Sequence, residues 1–474
     1  MKKNHALLIA FILLFTGLSK AQYDKQNISM LGHWFSATQT AEPTYGIKYN
    51  SVYGWTNPVD HKEYAVLGSS SGTYIIDVTN PASPVYIDYV AGRRTNCVWR
   101  EYKTYGHFLY GISDDSSPNS FQIMDLSYLP DSIHVISDNT TLFERSHTLY
   151  VDGNKLYCGS VTMPGTGGHF SMNVYSLANP AAPVLLRKLN QDYPSINHVH
   201  DMLVRNDTVY ASCGYQGLFI YKYDSVANDF TELNTLTSYP DQGYNHSSTI
   251  SPDGHTMVFC DEVPAGMAVK VLDISDINNI GISSTFESNA SATPHNPYIK
   301  GKDRVIIAYY QDGVQIFDIS DPALPVRTGY FDTDTLHGLN DGYPSSFTYH
   351  GAWGAYIDLP SGVILSSDMQ NGLYILDASN ALVGIDEHKT ANGTISVYPN
   401  PATGRISVSL QLRENEKAAV EIYDITGRKV ISETQAIAAG KSTVSIYTSD
   451  LNPGIYLLRI KGKALDYSQK IVKE

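Results

Sequence analysis

The phrase I-F-D-I-S-D-P-A-L-P-V, from Ile316 to Val326, is one of seven versions of a single pattern in this chain. The others start at Gly72, Ser120, Met172, Gly217, Val269 and Gly372. Aligned on Asp77, Asp125, Ser176, Lys222, Asp273, Asp318 and Asp377, they are spaced by 48, 51, 46, 51, 45 and 59 residues. A unit repeated at this period cannot bury its apolar face alone. Neighbouring copies must stack, and that requirement limits the fold more tightly than any other feature of the chain.

Each copy alternates apolar positions at period two, the signature of a strand, then meets Asp or Asn with Pro, which sets a tight turn. The second Pro opens a strand that must lie at a sheet edge, because it has no N–H for a central ladder. Upstream of each copy is a hairpin such as H-T-L-Y-V-D-G-N-K-L-Y-C from His147, with D-G, N-D or P-S-G at its centre. One repeat therefore holds four antiparallel strands, the content of a propeller blade. The expected fold is all-β: a seven-bladed β-propeller over residues 28–385, a linker over 386–394 and a small β-sandwich over 395–474. A pair of β-sandwiches does not account for seven copies at near-constant spacing. The last copy stops at Ile385 without its P-V-x-x-G-x-F strand, and I-S-M-L-G-H-W-F-S from Ile28 is predicted to supply it and close the ring.

A net charge of −14 and a pI near 5.5 over 474 residues exclude a nucleic-acid partner, which needs a basic footprint. Residues 1–21 carry Lys2 and Lys3, an apolar run from Ala6 to about Leu18 and the exit Ser19-Lys20-Ala21, so a cleaved signal peptide is expected. A membrane anchor is the competing reading, but the run is shorter than a full span and no other segment approaches one, so no transmembrane span is expected after cleavage. Export permits disulfides, yet Cys97, Cys158, Cys213 and Cys260 form no C-x-x-C, and three of them follow similar apolar phrases in successive repeats. They are expected as buried free thiols.

The C-terminal segment is made of short alternating strands with Gly and Pro turns. It starts with Tyr398-Pro399-Asn400-Pro401, has Asp424 to Gly427 in its middle, continues through Leu451 to Ile460 with Gly454, and ends on a strand bearing Lys470 and Lys473. In this combination it closely resembles the type IX secretion sorting domain; an ordinary carbohydrate-binding sandwich is the competing reading. The resemblance implies a partnership with the type IX secretion machinery, export across the outer membrane of a Gram-negative cell, and removal of the domain with release or surface attachment.

The start of the first strand of each blade aligns His147, His200, His246, His295 and His350 in one column, with Arg100 in the same place in the second blade and Trp55 near it in the first. In a propeller this strand is innermost, so the column is expected around the mouth of the central channel. The end of the second strand lies on the same face and contributes Asp114, Asp115, Asp261, Glu262, Asp312 and Asp368. Imidazoles converging with carboxylates suit a divalent metal such as Zn, Mn or Ca, or general acid–base chemistry on a substrate held across the mouth. His198 and His200, two apart on a strand, can share a face. The competing reading is one histidine hydrogen-bonded between neighbouring blades and duplicated with the repeat, and Arg100 points toward an anionic ligand. Tyrosines and tryptophans offer stacking for sugars, although sheets use them mainly for packing. H-E-x-x-H and a phosphate loop do not occur.

From about Gly32 to Leu382 the chain also resembles the choice-of-anchor B proteins with LVIVD-type repeats. The likeness rests on Gly54 to Pro58, Trp99-Arg100-Glu101, Ser146-His147, His200-Asp201, Asn245-His246, Pro294-His295-Asn296, Gly351-Ala352-Trp353 and the run from Pro360. It implies a repeat body joined to an interchangeable surface anchor, with no activity to carry over. Three functions are compatible with these residues: an exported propeller that binds a ligand, glycan or surface protein at its histidine face; a metal-assisted polysaccharide lyase or hydrolase using that face; and a structural surface protein.

Overall fold

The computed structural model describes residues 23–115, 119–165, 167–334, 349–382, 396–412, 415–424, 428–462 and 466–474. The expected signal peptide and linker lie outside them. The chain divides into two compact units, residues 1–382 and 383–474.

The first unit is a seven-bladed β-propeller. Its innermost strands are Tyr49–Thr56, Glu101–Tyr105, Thr148–Asp152, Asp201–Arg205, Asn245–Ile250, Asn296–Lys300 and Ala352–Tyr356, each leading a four-stranded antiparallel sheet or, in the sixth blade, a five-stranded one. Every innermost strand packs on the next, and the seventh packs on the first. The ring closes as the repeat implies: Ser29–Trp34 pairs antiparallel with Gly372–Asp377 and completes the last blade. This closing strand carries a register shift between Met30 and Gly32, and the pairing of third with fourth strand in each of the other six blades has an equivalent irregularity. Such a bulge increases local twist.

The repeated Asp works as a turn former. Asp77, Asp125, Asp273, Asp318 and Asp377 each accept the backbone N–H two residues on, at 2.8–2.9 Å. Ser176 does the same with its hydroxyl. In the fourth blade the alignment on Lys222 is off by two residues: the strand Leu218–Asp224 runs longer, and Asp224 accepts from Val226 and Ala227. The turn chemistry marks the register there; the apolar pattern does not.

Between the blades lie cores of tyrosine and aliphatic side chains, including Tyr64, Tyr157, Tyr175, Tyr221 and Tyr309, all fully buried. The four cysteines are buried free thiols.

The second unit is a two-sheet sandwich. Ser396–Tyr398, Arg405–Leu412 and Gly440–Tyr447 face a sheet ordered Lys429–Ile437, Glu416–Asp424, Gly454–Lys461, Asp466–Lys473. Ile406, Val408, Leu410, Val420, Ile422, Leu458, Ile460 and Ile471 fill the space between them. Asn400 joins the entry of the domain to its last strand: its amide donates to the Lys470 carbonyl at 2.9 Å, and its side-chain oxygen accepts from the Val472 N–H at 2.8 Å. Gly454 pairs with Lys473 at the same end of the last strand, and Tyr398 is exposed. Pro399 and Pro401 flank the Asn400 clasp, and residues 425–427 lie outside the described set.

Candidate functional site

All seven innermost strands line a central channel of about 510 Å³. At one end, ring centroids follow one another around the axis: Trp99 to His147 at 6.4 Å, then His200 at 4.1 Å, His246 at 4.3 Å, His295 at 4.5 Å, Trp353 at 4.5 Å, and back to Trp99 at 6.5 Å. Four of the column histidines thus sit side by side, successive rings tilted by 48–49°, in a closed aromatic ring.

The remaining two column positions are corrected by the structure. Trp99 takes the place expected for Arg100, because the Arg100 guanidinium is turned into the blade and donates to the Ser69 and Arg94 carbonyls at 2.8 Å each. Gly92 leaves it room, since a Cβ there would lie 2.2 Å from Arg100 Nη2. Trp353 takes the place expected for His350, because a register shift between Ala352 and Gly354 turns the indole to the axis. With Arg100 spent on these carbonyls, its guanidinium is not offered to an anionic ligand in the channel.

The imidazoles are oriented by neighbouring blades. His200 Nδ1 donates to the His246 carbonyl at 3.2 Å, and His295 Nδ1 to the Trp353 carbonyl at 2.5 Å. His246 Nδ1 is turned toward the His295 carbonyl in the same sense, but Ser247 Oγ donates to that oxygen at 2.5 Å and His246 Nδ1 has no hydrogen bond of regular geometry. The inter-blade hydrogen bond expected of a merely copied histidine is therefore present, and in His200 and His295 it fixes the proton on Nδ1 and leaves Nε2 with its lone pair.

Burial determines the charge of the ring. It drives His295 down to about 3, with the Trp353 carbonyl opposing, and holds His200 and His246 well below the ordinary imidazole range, reinforced by neighbouring histidines. His198, which meets Ser160 Oγ at 2.5 Å and Tyr244 Oη at 2.7 Å, is lowered to about 4, again chiefly by burial. His147 goes the other way: desolvation is outweighed by the Asp114 carboxylate 2.6 Å from Nδ1, and its value rises to about 9. At neutral pH the ring thus presents three neutral imidazoles and one cation already paired.

The carboxylates separate into two groups. Glu262 belongs to the site: Oε2 lies 3.7 Å from His246 Nε2, and Oε1 accepts from Tyr310 at 2.5 Å. Burial raises its carboxyl, opposed by the tyrosine. Asp261, the residue before it, faces the other way into a fully buried pair with Lys270 at 2.8 Å, with further donors from Tyr239 and Gly243. Asp368 caps its own turn by accepting from Gln370 and Asn371, and burial raises it to about 6. Asp312 accepts from Ser288 and Asn289, and Asp115 from the Val98 and Trp99 N–H groups. Asp261, Asp312 and Asp368 are structural and do not meet the histidines; Asp115 only positions the Trp99 backbone.

Deeper polar groups escaped the sequence reading. Glu101 accepts from Lys103 at 2.7 Å and from Ser51 at 2.9 Å, and Asp201 accepts from Thr148 at 2.9 Å. All five line the channel. The available signal was Glu101 and Lys103 two apart on an innermost strand, hence on one face.

Residues 396–474 match the model of the secretion system C-terminal sorting domain. A search of curated proteins finds no match. Among solved structures, the chain is similar to PorZ, an essential bacterial surface component of the type-IX secretion system of Porphyromonas gingivalis, at 9% identity and a TM-score of 0.47, covering 93% of this chain and 61% of that one. It is also similar to a putative 6-phosphogluconolactonase from Bacteroides uniformis, at 12% identity and a TM-score of 0.47 over 85% of this chain and 99% of that one. A third likeness is to the WD40 β-propeller domain of Doa1, at 11% identity and a TM-score of 0.46 over 72% of this chain and 98% of that one. These are distant likenesses. Among the described residues no helix is long and apolar enough to cross a membrane. The chain is a β-propeller that carries a type IX secretion sorting domain at its C-terminal end, and it is exported through that system to the cell surface or the medium.

Proposed function

We propose that this protein is an exported binding module whose propeller takes a glycan at the histidine-lined mouth of the channel, on the pattern of a choice-of-anchor B repeat body joined to a type IX signal. The observation that carries the reading is the closed ring of Trp99, His147, His200, His246, His295 and Trp353. A concave site with a few oriented polar groups and perturbed titration is the usual form of a ligand pocket. Neutral imidazoles offer lone pairs to hydroxyl donors without attracting anions. Aromatic side chains adjoin the ring: Tyr349 lies 6.3 Å from Trp99 and 5.3 Å from Tyr45, and exposed Tyr215 packs 5.1 Å from Tyr244. Such faces stack on sugar rings while their hydroxyls bind the ring substituents.

The test is a glycan array probed with the full exported chain and with a His200→Gln/His246→Gln variant. Binding to a defined glycan class that the folded variant loses supports the reading. Binding that survives in the variant, or no binding by either protein, refutes it.

A further inference from the structure

We infer that His246, His295 and Glu262 form a site for one borderline divalent cation of the zinc class, set between the fifth and sixth blades. The inference builds on the mouth as a binding site, yet it is separable from glycan recognition. Among the described residues this is the one group of three His, Cys, Asp or Glu residues whose ligand atoms all lie within 4.8 Å of one another. Ligands about 2.1 Å from a tetrahedral ion stand about 3.4 Å apart. The 3.7 Å between His246 Nε2 and Glu262 Oε2 is already near that edge, and the third ligand needs a displacement on the order of 1 Å.

The surroundings are those of a metal centre. Ligating imidazoles are held by a hydrogen bond from the other nitrogen, and ligating carboxylates by a donor of their own. His295 has the Trp353 carbonyl, and Glu262 has Tyr310. All three ligands are buried, His295 to 2% exposure, so their orientations are set by packing. Neutral imidazoles with one carboxylate select zinc, cobalt, nickel or copper over calcium and magnesium, which prefer oxygen donors. Three protein ligands leave a coordination position for water or a ligand hydroxyl. Because Glu262 follows the second strand of one blade and His295 precedes the first strand of the next, an ion here ties two blades together.

Full exported chain, stripped with a chelator and dialysed against zinc, is expected to retain one ion per chain by mass spectrometry and to unfold at higher temperature than the stripped form. Glu262→Gln and His295→Gln should lose the ion while keeping wild-type circular dichroism; Tyr310→Phe should weaken binding about 10- to 100-fold; His255→Gln, on the exposed surface, should behave as wild type. X-ray absorption on zinc-loaded wild type needs no variant to fold, and two imidazoles per ion are expected. No ion above the buffer blank, an ion retained by both ligand variants, or a first shell without two imidazoles overturns the inference. Glycan binding by chelated protein in the same series separates the two readings: binding without metal leaves the glycan site and removes any dependence on the ion, whereas metal without glycan binding leaves only the ion site.

Discussion

Removing a buried neutral imidazole should flatten the acid side of the stability curve by an amount the structure sets. His295 falls from 6.5 to about 3, and His198 from 6.5 to about 4, in both cases mainly by burial. For a group whose folded value is depressed, the unfolded chain binds the proton first, so stability is present above the unfolded value and is lost as pH falls below it. Between about pH 7 and about pH 5 each of these histidines therefore costs wild type about 2 kcal/mol, some 1.5 units at about 1.4 kcal/mol per unit. His200 and His246 act in the same direction. Buried carboxylates oppose this, with Asp115 and Asp368 raised to about 6 and Asp332 to about 8, which makes the wild-type curve alone a poor test. The difference between wild type and His295→Gln cancels them. All four tryptophans, Trp34, Trp55, Trp99 and Trp353, lie in the propeller, so urea denaturation followed by tryptophan fluorescence in chelator reads that unit alone. The expected result is that the variant gains about 2 kcal/mol on wild type between the two pH values. A constant offset between the two proteins would refute the burial argument for the ring.

Lys270→Met should cost about 3–5 kcal/mol, because it leaves Asp261 charged and fully buried; Asp261→Asn/Lys270→Met should recover much of that, measured as urea midpoints. Gly32→Val should destabilise the ring closure by about 1–3 kcal/mol, since a Cβ at Gly32 lies 1.9 Å from the Pro81 carbonyl oxygen of the first blade; limited proteolysis within Ser29–Trp34 reads the detached strand. Asn400→Ala removes both bonds that clasp the sorting domain to its last strand and should lower that domain's stability by about 1–3 kcal/mol, with a smaller fraction of protein reaching the medium by immunoblot.

The propeller was legible because its repeat is written in turn chemistry: an Asp, or Ser176 in the third blade, accepts the N–H two residues on at the end of the third strand of each blade, and it survives where the apolar pattern drifts. The missing outer strand of the seventh blade was legible for the same reason, as a gap with one segment elsewhere able to fill it. The site was only partly legible. A histidine at the start of an innermost strand faces the axis in four blades, but in two others Trp99, one residue before Arg100, and Trp353, three residues after His350, do so, and local backbone irregularity and competing hydrogen-bond partners decide which. Asp261 and Glu262 adjoin in sequence and point to opposite sides. Only the position of Lys270, on the next strand, shows which one is consumed in the core. Sequence spacing carries the alternation of a strand but not the partner waiting on either side of it.

The account rests most directly on imidazoles held neutral with Nε2 turned to the channel, and ¹⁵N side-chain spectroscopy of histidine-labelled exported protein at neutral pH measures this. Single His→Gln variants assign His147, His200, His246 and His295. The account predicts the Nδ1–H tautomer for His200 and His295, a neutral ring for His246, and an imidazolium for His147 beside Asp114. Imidazolium signals or the Nε2–H tautomer at His200 and His295 would contradict it, because the mouth would then have no lone pair to offer a ligand.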